Sequence, residues 1–201
     1  MWKATRISAD AAEKMQINAG IVVWDFDISN PSSPKDEDIA FETTGDYSIT
    51  CAPIFEDMFA DVNNAPKNSK EGVRIIGWDC GLNVTSLTVT KESLALSIGA
   101  AAVTENGGVI PRKDIYDEDF KNPYWLADMV DPNKLLAVSL KYALSKNGLN
   151  YTASDMGKGK LGINLTPHVS ITNPDECPMA FYILEKSDSS AQAASVEPDE
   201  E

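Results

Sequence analysis

Apolar and polar residues alternate with a period of two over much of this chain, the spacing of strands that bury one face. The longest run covers residues 161–172. There Leu161, Ile163, Leu165, Pro167, Val169 and Ile171 share one side, and Gly162, Asn164, Thr166, His168, Ser170 and Thr172 share the other. Residues 47–53 repeat the pattern with Tyr47, Ile49, Cys51 and Pro53 on one face, and Pro53 should end that strand or leave it at a sheet edge. An apolar run that turns into alternation over 17–28 sets Trp24, Phe26 and Ile28 opposite Val23, Asp25 and Asp27. Strand-like segments also hold Ile75, Leu82, Val84 and Val89, with Gly77 and Gly81 read as bulges or bends. Residues 109–112, 149–153 and 179–184 are short strands, and 124–130 with 135–144 form a hairpin turned at residues 131–133. In the second arm Leu136, Val138, Leu140 and Tyr142 are the alternating set.

Helical spacing is found in one place. Thr90 can cap a helix over residues 91–102, with Ser93 where a full capping box would carry Glu. Leu94, Ile98 and Ala101 fall on one face of it, with Ala95 and Ala102 at the margins. The connections are polar: a loop over 29–38, an acidic loop over 115–123, and a long stretch over 55–71 with Asn63, Asn64 and Pro66 at its turn. The pattern predicts a mainly β domain over residues 1–186, followed by an acidic flexible tail, SDSSAQAASVEPDEE, over 187–201.

Composition narrows what such a domain does. With 201 residues, 43% of them hydrophobic, and four Trp, six Tyr and six Phe, the chain can fill a substantial core. Its formal net charge of -14 sets the surface as a whole against phosphate backbones and anionic membranes, so tight nucleic-acid binding is not expected. The first residues, MWKATRISADAAEKMQ, have no signal-peptide pattern, and no stretch approaches the roughly 20 apolar residues of a membrane span, so the chain reads as soluble and made in the cytoplasm. Three sequons start at Asn83, Asn150 and Asn164, without a secretory context to give them meaning.

Candidate chemistry is sparse. His168 lies on the polar side of the longest alternating run with no serine or cysteine motif beside it, and reads as a strand-face hydrogen-bonding residue rather than a general base. Cys51, Cys80 and Cys177 are far apart and lack Cys-x-x-Cys spacing, so they read as reduced, mostly buried thiols, and no metal site is expected. Asp114, Asp117, Glu118 and Asp119 lack EF-hand spacing and read as a solvated loop. Gly157, Gly159 and Gly162 match no phosphate-loop pattern, and Lys158 and Lys160 between them read as solvated or as partners for acidic groups of a neighbouring chain. Trp24, Trp78 and Trp125 sit in strand-like segments and belong to the core or an interface. Nothing composes an active site, and no enzyme activity or cofactor is expected.

Three stretches, ADAAEKMQINAGIVV, YSITCAPIFEDMFADVNNAPKNSKE and GKGKLGINLTPHVSITNPDECPMAFYIL, give the chain an order of elements that resembles the major tail protein, or tail tube protein, of long-tailed bacteriophages. The resemblance spans most of residues 9–184 and rests on order and coverage. It implies two packed antiparallel sheets, a sandwich or split barrel, flanked by one helix. It also implies a homo-oligomer of hexameric rings that stack into a tube for DNA ejection. Expected partners are the tape-measure, tail-tip and tail-terminator proteins, with DNA passing through the lumen unbound. The expected location is the virion tail, reached from the host cytoplasm. Lumen-facing candidates on this reading are Asp25, Asp27, Asp128 and Asp131. Asp61, Asn63, Asn64, Pro66 and Lys67, in the long connection, are candidates for a contact between subunits or rings that orders on assembly. A tube subunit of a secretion or contractile injection device and a monomeric β-sandwich binding module are the alternatives.

Overall fold

The computed structural model describes residues 11–45, 47–153, 155 and 157–186, so the acidic tail over 187–201 lies outside the described residues. Two antiparallel sheets carry the fold. The first is built from β1 (Ile21–Val23), β2 (Ile39–Glu42), β7 (Tyr124–Asp128), β8 (Lys134–Leu140) and β12 (Met179–Glu185), in the order β12-β8-β7-β1-β2. The second holds β3 (Ser48–Asp57), β4 (Val73–Ser86), β10 (Asn150–Thr152) and β11 (Lys160–Thr166), in the order β10-β11-β4-β3, with short β9 (Leu144–Ser145) also on β11. A hairpin of β5 (Ala101–Val103) and β6 (Val109–Pro111) and a single helix, α1 (Lys91–Ile98), flank them.

Period-two burial makes the sandwich. Cys80, Leu82, Val84 and Ser86 of β4 and Leu161, Ile163 and Leu165 of β11 all turn inward and are buried. They share one core with Val22, Phe41, Trp125, Val138, Leu140 and Met179 of the first sheet. At one corner the two sheets join: Thr43 bridges Ser86, and the Leu87 amide donates to the Glu42 carbonyl at 2.8 Å. The first sheet is apolar on its outer face as well. There Val23, Leu126, Leu135 and Ala137 are covered by Phe26 and Ile28, which arrive on the chain leaving β1.

That second layer corrects several boundaries. The strand expected over 17–28 is only Ile21–Val23, because the register slips between Val22 and Val23 and the chain then folds back across the sheet. For the same reason β8 buries both alternating sets, Ala137 and Ser139 as well as Val138 and Leu140, and Tyr142 leaves the strand at φ 49°. Strand β2 has too few residues to show a period and was not expected. Pro53 does not end β3. It pairs with Trp78 on the edge strand of its sheet, where a missing N–H costs no ladder bond. The segments expected between Ile75 and Val84 are a single strand. Its one register shift lies at Ile76, next to Gly77, while Gly81 pairs regularly with Thr50.

The helix is shorter than its sequence pattern and turned differently. Gly99, at φ 91°, ends it, and a Cβ there would meet the Ser145 carbonyl oxygen at 2.5 Å. Ala101 and Ala102 pair in β5 instead. The capping box closes with serine: the Ser93 amide donates to the Thr90 hydroxyl at 3.1 Å, and the Thr90 amide donates to the Ser93 hydroxyl at 2.8 Å. Ser93, Leu96 and Ser97 are the buried face, and the expected face of Leu94, Ile98 and Ala101 lies at its side. The buried hydroxyls remain satisfied at short range, Ser97 donating to the Leu94 carbonyl at 2.8 Å.

Candidate assembly surface

Strand β4 is 14 residues long, about 46 Å at 3.3 Å per residue, but β11 pairs with only Leu82–Ser86 of it. Beyond that point β3 and β4 continue as a two-stranded ribbon. The inward side of β3 runs through Ile49, Cys51, Pro53 and Phe55, opposite Leu82, Cys80, Trp78 and Ile75. Every second residue keeps that side, so the face that covers the core inside the body carries on past the end of the core. The bulge at Ile76 keeps both Trp78 and Ile75 on this side.

The result is an apolar stripe that the described residues leave largely open. Phe55 is 60% exposed, Ile75 48% and Ile76 53%, and Val73 extends the row. On the opposite face at the same level Arg74 pairs with Glu56 at 3.3 Å, and Ile54 is exposed beside them opposite Gly77. An isolated two-stranded ribbon is marginal in water, and an exposed apolar patch on it marks a contact surface.

The connection over 58–72 caps the ribbon tip. It is held by its own turns: the Asp57 carboxylate accepts from the Phe59 amide at 3.0 Å and from the Asn68 amide at 3.3 Å, and the Met58 amide donates to the Gly72 carbonyl at 2.9 Å. Asn64, at φ 66°, makes the turn read from the sequence. Asp61, Asn63, Asn64, Pro66 and Lys67 are all exposed around it, with Met58 and Val62 exposed among them. These five residues are therefore brought together, on the same projection as the apolar stripe.

The four aspartates are not brought together. β1 runs antiparallel to β7 with Val23 opposite Tyr124, so Asp25 and Asp27 leave at the Tyr124 end of β7 while Asp128 and Asp131 lie at the other end. Asp25 and Asp27 lie on the irregular chain after β1 rather than on a strand, and both are exposed. Asp128 accepts from Lys186 Nζ at 2.9 Å and from the Asn18 amide group at 2.7 Å, and the Lys186 ammonium holds its carboxyl below the usual carboxylate range. Asp131 is held down likewise by Lys134 at 3.0 Å and the Asn133 amide.

A lowered folded pKa stabilises the fold above the unfolded carboxylate value, near pH 4, and that contribution is lost as pH falls through the folded value. Asp128→Asn is therefore expected to lower stability by less than about 1 kcal/mol at pH 7, since the pair is half-exposed. Thermal melts from pH 7 to 2 should show the variant and the native chain converging below pH 4. A gap that persists at pH 2 would show that the ion pair is not its source.

His168 is not on a strand. β11 stops at Thr166, and after Pro167 the chain departs, so the alternation over 167–172 is not strand. The imidazole Nδ1 lies 3.0 Å from the Tyr142 carbonyl oxygen, the His168 amide donates to the Lys141 carbonyl at 3.0 Å, and the ring meets Phe120 edge-on at 5.5 Å. It ties the departing chain to the end of β8.

The three cysteines converge, which their spacing gave no reason to expect. Cys51 and Cys80 are register partners on β3 and β4, with the Cys80 thiol donating to Cys51 Sγ at 3.1 Å, and Cys177 Sγ lies 3.7 Å from Cys51. All three are free thiols; Cys80 is buried as expected, whereas Cys51 and Cys177 are only partly buried, and burial pushes the thiols of Cys51 and Cys80 above the ordinary value.

Among the described residues no helix is long and apolar enough to cross a membrane. No family model, curated protein or solved structure matches the chain.

Proposed function

We propose that this chain is a tube-building subunit of the tail tube type: copies close into hexameric rings, and the rings stack into the conduit through which a phage genome is ejected. The observation that carries the reading is the β3–β4 ribbon, whose core-facing side extends beyond the core as Phe55, Ile75 and Val73. A lone chain leaves that stripe in water, and a ring of copies covers it. The outer strand β12 adds to this, because Phe181 and Ile183 are 52% and 67% exposed on a sheet edge that no described strand pairs. Open edges of this kind template strand pairing with a neighbour, and a closed ring removes them. The charge of -14 suits a bore that DNA slides through without sticking.

Negative-stain electron microscopy and light scattering of the purified chain over a range of concentrations test this. Six-fold rings or hollow tubes, with a mass that grows with concentration, are the expected result. A chain that stays monomeric at every concentration overturns the reading in favour of a β-sandwich binding module.

A further inference from the structure

We propose that Cys51, Cys80 and Cys177 form a binding site for one soft, thiophilic metal ion, which joins the two sheets. Their sulfurs lie within 4.8 Å of one another, and among the described residues no histidine, aspartate or glutamate joins the group. An ion about 2.3 Å from each sulfur, in tetrahedral directions, sets sulfurs about 3.8 Å apart. The Cys51–Cys177 separation of 3.7 Å already fits that spacing, and Cys80, at 3.1 Å from Cys51, needs to withdraw by less than 1 Å.

The donor set decides the class of ion. Three thiolates and no oxygen ligand select zinc, cadmium or copper(I), while magnesium and calcium require oxygen donors. Binding is an exchange without redox change: three S–H protons leave as three sulfur–metal bonds form. Cys80 is buried, and Cys51 and Cys177 are partly open, so the ion has a way in.

The placement gives the ion a structural task. Cys51 and Cys80 belong to the root of the ribbon, and Cys177 lies on the segment that enters β12 of the other sheet. A clip there crosses 126 residues of chain and holds the ribbon's base against the body. It would act whether or not the chain assembles.

The test uses the full chain, reduced and kept from oxygen, titrated with Cd²⁺ and followed by the ultraviolet absorption of cadmium–thiolate bonds, with Zn²⁺ and Cu⁺ as competitors. Saturation at one Cd²⁺ per chain is expected, with all three cysteines protected from alkylation in mass spectra. At a hundredfold excess over Kd the melting temperature should rise by about 5–10 °C. Mg²⁺ should do none of this, and Cys177→Ser should abolish the protection of Cys51 and Cys80. Absence of saturable binding by the reduced chain, protection of two cysteines alone, or unchanged affinity in Cys177→Ser would each overturn the proposal. If that variant does not fold, the protection pattern of the native chain decides.

Discussion

Phe55→Glu combined with Ile75→Lys is expected to abolish ring and tube formation while leaving the monomer folded. The two residues face each other across the ribbon, so the new side chains can form a cross-strand ion pair that supports the hairpin. What the pair removes is the apolar stripe. Full burial of a Phe or an Ile side chain contributes about 1.5–3 kcal/mol, and with 60% of Phe55 and 48% of Ile75 still exposed about half of that remains to be gained, so every subunit contact made by the ribbon loses about 1.5–3 kcal/mol. At 1.4 kcal/mol per tenfold, the concentration needed for assembly rises about ten- to a hundredfold from the lost burial alone. Circular dichroism and a melting temperature within about 3 °C of the native chain would show an intact fold. Tubes that form at the native concentration would remove the ribbon from the assembly mechanism. The same experiment on Asn63→Ala with Lys67→Ala reports on the tip alone, where no apolar burial is at stake.

Where one face is buried and the other wet, the period of two was readable, and β3, β4 and β11 start near their expected places, although β3 runs on through Phe55–Asp57 of the expected connection and β11 stops at Thr166. It failed where the first sheet acquired a second cover. Phe26 and Ile28 fold over the outer face, so β1 and β8 are apolar on both sides and their ends are set by contacts distant in sequence. The helix failed for another reason. Its buried face is Ser93, Leu96 and Ser97, two of which are polar residues satisfied by nearby carbonyls, and a hydrophobic pattern does not register them.

The candidate surface was legible in one part. Length and polarity marked the connection over 55–71, and its exposed residues do lie on a projection, but the stripe below it was not foreseen. Alternation announces which side of a strand is apolar. It does not announce that β4 loses its neighbour β11 beyond Leu82 and runs on as a two-stranded ribbon, which depends on where β11 pairs. The cysteine group is the same kind of fact, since Cys51 and Cys80 meet only because β3 and β4 pair in this register. The aspartates were grouped by proximity to strands, whereas strand direction sends them to opposite ends of one sheet.

Trp125→Ala is expected to destabilise the monomer itself by about 3–5 kcal/mol, a large share of the roughly 5–15 kcal/mol available to a domain. The indole is fully buried on β7, between Val22 of β1 and Val138 of β8. It lies 4.7 Å from the Tyr47 ring, and its Nε1–H donates to the Ala19 carbonyl at 3.0 Å. Gly20 belongs to the same arrangement: a Cβ at that position, at φ 79°, would lie 2.9 Å from the indole nitrogen and 2.3 Å from the Leu126 carbonyl oxygen. Truncation leaves a cavity between both sheets and removes one of the two donors to the Ala19 carbonyl, the Thr43 hydroxyl remaining, so the melting temperature should fall by about 6–20 °C. Trp125→Phe keeps most of the volume and loses the hydrogen bond, and a fall of about 1–3 kcal/mol separates the two contributions. A Trp125→Ala chain that melts like the native one would mean that Tyr47 and the adjacent strands close the gap. Because this variant weakens the fold and the ribbon variant does not, assembly lost in both but folding lost only in Trp125→Ala would locate the subunit contact on the ribbon.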